Sequence, residues 1–151
     1  MKYTQEIKVN VPIDEFVQKL DNIDNLKHWQ RGLVSTEHIS GDLRRFGDKM
    51  RLIYRFGNHT REITETITKR NLPNEFHVNY TSKTSQNLQQ NFYKKATDGG
   101  TIWTSYNEFV PLNLKMRLIL FLMPNAFKKQ SIIYMRDFKN FAENGISIAH
   151  A

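Results

Sequence analysis

Between residues 33 and 110 the chain alternates apolar and polar residues in six successive stretches, 33–40, 49–56, 61–70, 75–82, 85–96 and 101–110. A period of two puts alternate side chains on opposite faces of an extended strand. The breaks are short and made of turn formers: Gly41-Asp42 and Gly47-Asp48, Gly57-Asn58, Asn71-Leu72-Pro73-Asn74, Ser82-Lys83-Thr84-Ser85, and Asp98-Gly99-Gly100. Connections this short join antiparallel neighbours, because a parallel pair needs a crossover of roughly a dozen residues or more. The six stretches therefore predict a meander, and the rest of the chain has to cover one face of it.

Residues 3–11 add a seventh strand, with Tyr3, Ile7, Val9 and Val11 on one side and Thr4, Glu6, Lys8 and Asn10 on the other. Pro12 ends it and opens a helix whose first turn carries Asp14 and Glu15 and whose apolar stripe is Ile13, Phe16, Val17 and Leu20. A second short helix through Leu26 and Trp29 is expected to follow, with Asp24 as its N-cap. Beyond Pro111 the pattern is helical to about residue 144. Pro124 divides it into a segment near 114–123 and a long helix from about Asn125, on which Phe127, Ser131, Tyr134, Met135, Phe138, Phe141 and Ala142 keep a helical period. Gly145 supplies the stop, and the tail 146–151 is expected to fray. The expectation is one domain over 1–145 with a short tail.

Composition narrows the function. The 151 residues include no cysteine, which removes disulfides and thiolate metal sites. The five histidines show no metal-ligand spacing, so neither metal nor cofactor is expected. The formal charge is +7, yet the basic residues are scattered rather than run together, and no nucleic-acid-binding motif accompanies them, so nucleic acid is not the expected partner. The N-terminus lacks the apolar core of a signal peptide, and the longest clean apolar run, 118–123, is far too short to span a bilayer; a cytoplasmic protein is expected.

The order strand, two short helices, six-strand meander and long helix resembles the SRPBCC superfamily, the START-like or polyketide-cyclase-like helix-grip proteins. Residues that carry the resemblance are Val9-Asn10-Val11-Pro12-Ile13-Asp14-Glu15-Phe16-Val17 at the first strand and helix, and Leu26-Lys27-His28-Trp29 at the second helix. Gly41 and Gly47, Glu62-Ile63-Thr64-Glu65 and Leu72-Pro73-Asn74-Glu75 match the central hairpins, and Gly99-Gly100-Thr101-Ile102-Trp103-Thr104 the last one. The resemblance spans about residues 3–144. It implies an α+β fold in which a seven-stranded curved antiparallel sheet wraps a long C-terminal helix, with two short helices between strands 1 and 2. It also implies a cavity that holds a lipid, polyketide or aromatic molecule. Members include carriers, cyclases and chaperone-associated domains, so the fold does not select one activity.

Strand alternation nominates the lining. Met50, Leu52, Tyr54 and Phe56 share one face of their strand, and Phe76, Val78 and Tyr80 one face of theirs, so these seven are expected to face the helix. Tyr54 and Tyr80 are the stronger ligand contacts, because a buried hydroxyl can orient an apolar molecule. Tyr134, Met135 and Phe138 face them from the helix. Glu65 shares a face with Ile63 and Ile67. It is either a general acid or base working with a pocket tyrosine, or a carboxylate paired with an arginine or tyrosine. Glu37, in register with Leu33 and Ile39, poses the same question. In 101–110 Ile102, Tyr106 and Val110 form one apolar face and Trp103 with Phe109 the other; the resemblance places Trp103 inward. The polar stretch 85–96 either puts its amides into the cavity or is exposed. Segment 114–123, apolar nearly all round and flanked by Lys115, Arg117, Lys128 and Lys129, reads as a lid, as a transient contact with an anionic membrane, or as packed core. The leading expectation is a non-enzymatic binder of a small hydrophobic ligand. A cyclase- or dehydratase-type enzyme and a co-chaperone-like interaction module are the alternatives.

Overall fold

A computed structural model describes residues 1–149. The strands are β1 (Lys2–Val9), β2 (Leu33–Ser40), β3 (Lys49–Phe56), β4 (His59–Asn71), β5 (Glu75–Thr81), β6 (Ser85–Lys95) and β7 (Thr101–Pro111). They form a single antiparallel sheet in the order β1-β7-β6-β5-β4-β3-β2. The meander β2 to β7 runs in chain order, and β1 closes onto β7 with Tyr3 opposite Asn107 and Val9 opposite Thr101. Helices α1 (Ile13–Leu20) and α2 (Leu26–Trp29), with a 3-10 turn at Ile23–Asn25 between them, carry the chain from the β1 edge to the β2 edge. The cap of that turn is Asn22, whose side chain accepts from the Asp24 amide at 2.9 Å; Asp24, the expected cap, is the donor instead.

After β7 come α3 (Leu114–Leu122) and α4 (Pro124–Asn144), the division falling at Pro124 as its missing N–H requires. Gly145 ends α4 in the left-handed region at φ 68°, where its amide returns to the Phe141 carbonyl at 2.9 Å. Residues 146–149 are tied down rather than frayed: the Ile148 amide donates to the His28 carbonyl at 3.0 Å, and Ser147 Oγ meets His28 Nδ1 at 2.7 Å. The last two residues of the expected tail lie outside the described residues.

α4 packs over the inner face through Met135, Phe138 and Ala142, all buried. Phe138 sits in an aromatic cluster, its ring 4.9 Å from Phe16, 5.2 Å from Trp29 and 5.7 Å from Trp103 between centroids, with Tyr93 tilted against Phe16 at 5.0 Å. Edge-to-face rings at such distances gain about 0.5–1.5 kcal/mol per pair beyond burial. Arg31 clamps the buried Asp137 of α4 through two bonds of 2.6 and 3.1 Å, which fixes the helix against the segment after α2. The cluster fills the space between sheet and helix near α1 and α2. Farther toward the start of α4 the space stays open.

Candidate ligand-binding cavity

The open space is a cavity of about 210 Å³. Its position follows from the inward register of each strand. Trp103 faces inward, and by period two so do Ser105, Asn107 and Phe109, while Tyr106 turns out to solvent. Opposite them on β6 lie Tyr93, Asn91, Gln89 and Asn87, and these amides do line the cavity. Continuing across the sheet, Asn87 pairs with Tyr80, and Tyr80 with Glu65. Phe127, Gln130, Ser131, Tyr134 and Met135 close the roof from α4. Phe56, Arg61 and Gln130 are lining residues that also reach solvent, and they mark the mouth.

Of the residues expected to contact ligand, Tyr54, Glu65, Val78, Tyr80, Trp103, Tyr134 and Met135 line this cavity. Two do not. Met50 lies deep beside Leu52 and Tyr54 in a separate cluster, because β3 is displaced toward the β2 edge and only its far end reaches the cavity. Phe138 is enclosed by Phe16, Trp29 and Trp103, one turn beyond the cavity. Phe56 faces the helix side only at the rim and is 38% exposed. Glu37 is exposed and pairs with Arg51 at 2.7 Å, since β2 carries irregularities on either side of it and is covered by nothing.

Glu65 is buried, and of its two readings the paired carboxylate is the one realised. Arg44 Nη1 donates to Glu65 Oε1 at 3.0 Å. Arg44 Nε also donates to Asp21 Oδ1 at 3.1 Å, Arg70 grips the same Asp21 with bonds of 2.9 and 2.7 Å, and the Arg44 guanidinium lies 5.1 Å from the Phe76 ring centre. Arg44 and Glu65 line the cavity, and with Asp21 and Arg70 behind them two guanidinium groups and two carboxylates balance in formal charge. Arg44 reaches this position from the β2–β3 loop with a left-handed backbone, φ 62°, its amide donating to Asp48 Oδ2 at 2.8 Å.

The tyrosines are held neutral. Burial, and then the Glu65 carboxylate, push the Tyr80 hydroxyl well above its ordinary value. Burial does the same to Tyr54, whose hydroxyl donates to Gln30 Oε1. Tyr3 shares a 2.7 Å bond with Ser131 Oγ across the sheet–helix gap. Trp103 Nε1 donates to Asn91 Oδ1 at 2.9 Å, and Asn107 Nδ2 donates to Ser105 Oγ at 3.0 Å.

The amide carbonyls are less well served. Asn87 Oδ1, Asn107 Oδ1 and Gln5 Oε1 are buried and have no partner among the described residues. The orientation of two of these amides is fixed by carbonyls that only an N–H can satisfy: Gln5 Nε2 donates to the Lys128 carbonyl at 2.5 Å, and Asn107 Nδ2 also approaches the Ser105 carbonyl at 3.3 Å. Gln5, Asn87 and Asn107 line the cavity together with Val78, Phe109, Phe127 and Met135. Residues missed in the sequence are Arg44, Gln30 and Gln5; the inward Ser105 and Asn107 follow by counting twos from Trp103.

No protein-family model matches the sequence, and no curated protein does. Solved structures do. A conserved protein from Geobacillus kaustophilus superposes with a TM-score of 0.77 at 13% identity, over 94% of this chain and 95% of that one. A protein from Rhizobium leguminosarum gives 0.76 at 13% identity, over 95% and 94%. The chain is similar also to Ara h 8.0201, with a TM-score of 0.71 at 11% identity, over 94% and 97%. The chain has the Bet v 1-like helix-grip fold. At these identities the likeness establishes architecture and leaves activity to the cavity.

Proposed function

We propose that the chain binds a small, largely hydrophobic molecule in this cavity, oriented by hydrogen-bond donors on the molecule. The observation that carries the reading is the pairing of an aromatic and aliphatic surround with the unpartnered acceptors of Asn87, Asn107 and Gln5. Buried acceptors without donors are costly, so they favour an occupant that brings hydroxyl or N–H groups. Size supports a compact ligand: a cavity of about 150 Å³ holds benzene, so this one accommodates a one- or two-ring body. The mouth at Phe56, Arg61 and Gln130 leaves room for a longer substituent to emerge.

The test uses naphthol, methoxynaphthalene and naphthalene, three bodies of nearly one size that differ in the donor. Quenching of tryptophan emission and titration calorimetry on the full chain are expected to show binding in that order, naphthol first. The hydroxyl should be worth roughly tenfold, the ratio expected of about 1.4 kcal/mol. Absence of binding by all three, together with no retained small molecule in native mass spectra of freshly purified protein, would overturn the proposal. Equal affinity for all three would keep the cavity as a binding site and remove the role of the acceptors.

A further inference from the structure

Helix α3 stands apart from everything else on the surface. Its nine residues, Leu114–Leu122, include not one that is buried, although seven are Leu, Ile, Met or Phe. Leu114 is 80% and Phe121 81% exposed, and Leu112, Leu118, Leu122 and Met123 extend the same patch. Contiguous apolar surface of this kind marks a contact with something apolar. The packed-core alternative for this segment is excluded by that exposure.

Charge decides what the partner is. From Phe109 to Arg136 the chain has no Asp or Glu, and it carries Lys115, Arg117, Lys128, Lys129 and Arg136, all exposed. A second copy laid on this face would set cations against cations. A partner that is apolar beneath an anionic surface satisfies both features at once, and lipid bilayers with acidic headgroups are built that way. No described helix is long and apolar enough to cross a membrane, so α3 would lie in the interface rather than span it. At about 1.5 Å per residue its length of roughly 13 Å suits shallow insertion, with the stems of Lys115 and Arg117 running along the apolar surface and their charges at the headgroups.

We propose that α3 is a docking helix for anionic lipid surfaces, and that it sets the cavity against the bilayer. The second half of that statement rests on connectivity. α3 is joined to β7 just beyond Phe109, and to α4 through Met123 just before Phe127. Phe109 and Phe127 are cavity residues whose rings lie 4.2 Å apart. The element that enters the lipid is thus covalently continuous, on both sides, with the walls of the site. Docking itself does not depend on whether the cavity holds a ligand.

The experiment is flotation of the full chain with vesicles of phosphatidylcholine, with and without a one-quarter share of phosphatidylglycerol, at low and high salt. Binding is expected only where phosphatidylglycerol is present, and is expected to weaken as salt rises. Phe121→Ser with Leu122→Ser should abolish it, and the residues are so exposed that far-UV dichroism should stay that of the parent. Lys128→Gln with Lys129→Gln should weaken binding roughly 25-fold, at about fivefold per cation. Equal binding to both vesicles, or none to either, overturns the proposal. So does a concentration-dependent dimer that Phe121→Ser dissolves, because the face would then belong to a second copy.

Discussion

Replacing Arg44 by methionine tests the reading of Glu65 most directly. Met retains the unbranched stem as far as the position of Nε and has the same left-handed backbone to satisfy, so the strain at φ 62° cancels between parent and variant. What is lost is the guanidinium. Asp21 keeps both bonds from Arg70, at 2.9 and 2.7 Å, so the cost falls on Glu65. Its side chain is 4% exposed and that of Arg44 12%, which leaves little water to replace the cation. Removing one partner of such a buried pair costs about 3–5 kcal/mol. Neutralising the orphan should then help: Glu65→Gln is expected to lower stability in the parent and to raise it by roughly 2 kcal/mol in the Arg44→Met background. Urea unfolding at neutral pH, followed by tryptophan emission, measures all four corners of this cycle, since Trp29 and Trp103 are both core residues. The reasoning fails if Arg44→Met costs less than about 1 kcal/mol, the range of a solvated surface pair. It fails also if Glu65→Gln has the same sign in both backgrounds.

Three further outcomes follow from single contacts. His77 is buried and its Nδ1 accepts the Asn91 amide at 3.1 Å; burial holds its imidazole below the ordinary 6.5. A depressed value means the unfolded chain binds the proton more readily, so the contribution of His77 is complete above pH 6.5 and is lost as pH falls through the folded value; urea titrations between pH 8 and 5 should show a steeper loss in the parent than in His77→Gln. Trp103→Phe removes the donor to Asn91 Oδ1 and should destabilise by about 1–3 kcal/mol in the same assay, and no loss would mean that Asn91 finds another donor. Gly32 has φ +80°, and a Cβ there would lie 2.7 Å from Phe56 Cε1 and 2.9 Å from the Arg55 carbonyl, so Gly32→Ala should cost about 1–3 kcal/mol on thermal unfolding, with a neutral result showing that the rim around Phe56 yields freely.

The fold was legible because its signals are local and repeated. The bounds of β2 and β3 coincide with the alternating stretches, and Pro124 and Gly145 mark α4 by backbone chemistry alone. The cavity was half legible. Period two tells which residues share a face, but not which face is covered, so the two apolar faces of β7 competed until Tyr106 proved exposed and Trp103 buried. Nor does it tell how far along an inner face the packing is complete, which is why Met50 and Phe138 were placed at the cavity when both are core. Arg44 left no signal. Its role depends on a loop turning it under the sheet edge toward Asp21 and Glu65, residues 23 and 21 positions away, and nothing in local sequence encodes that convergence.

The existence of an open cavity in a chain of this size has its own physical explanation, and it can be tested at Asn107. A cavity lined only by Val78, Phe109, Met135 and their like would gain by collapsing, since each contact recovered adds dispersion energy. Acceptors change that balance. Asn107 is buried with Oδ1 unpartnered, a desolvation cost of about 1–3 kcal/mol that a donor on an occupant would relieve. The buried amides thus favour an occupant that can donate. Asn107→Leu keeps the branched heavy-atom shape at a somewhat larger volume and removes the orphan acceptor together with the Nδ2 bonds to Ser105, so the empty protein should stay within about 1 kcal/mol of the parent. The same variant should bind naphthol no better than methoxynaphthalene. Stability that falls by more than about 1 kcal/mol while the preference for naphthol persists would show that the protein itself satisfies Asn107. The acceptors would then be structural, and the orientation of the ligand would have to come from Tyr80 or Gln30 instead.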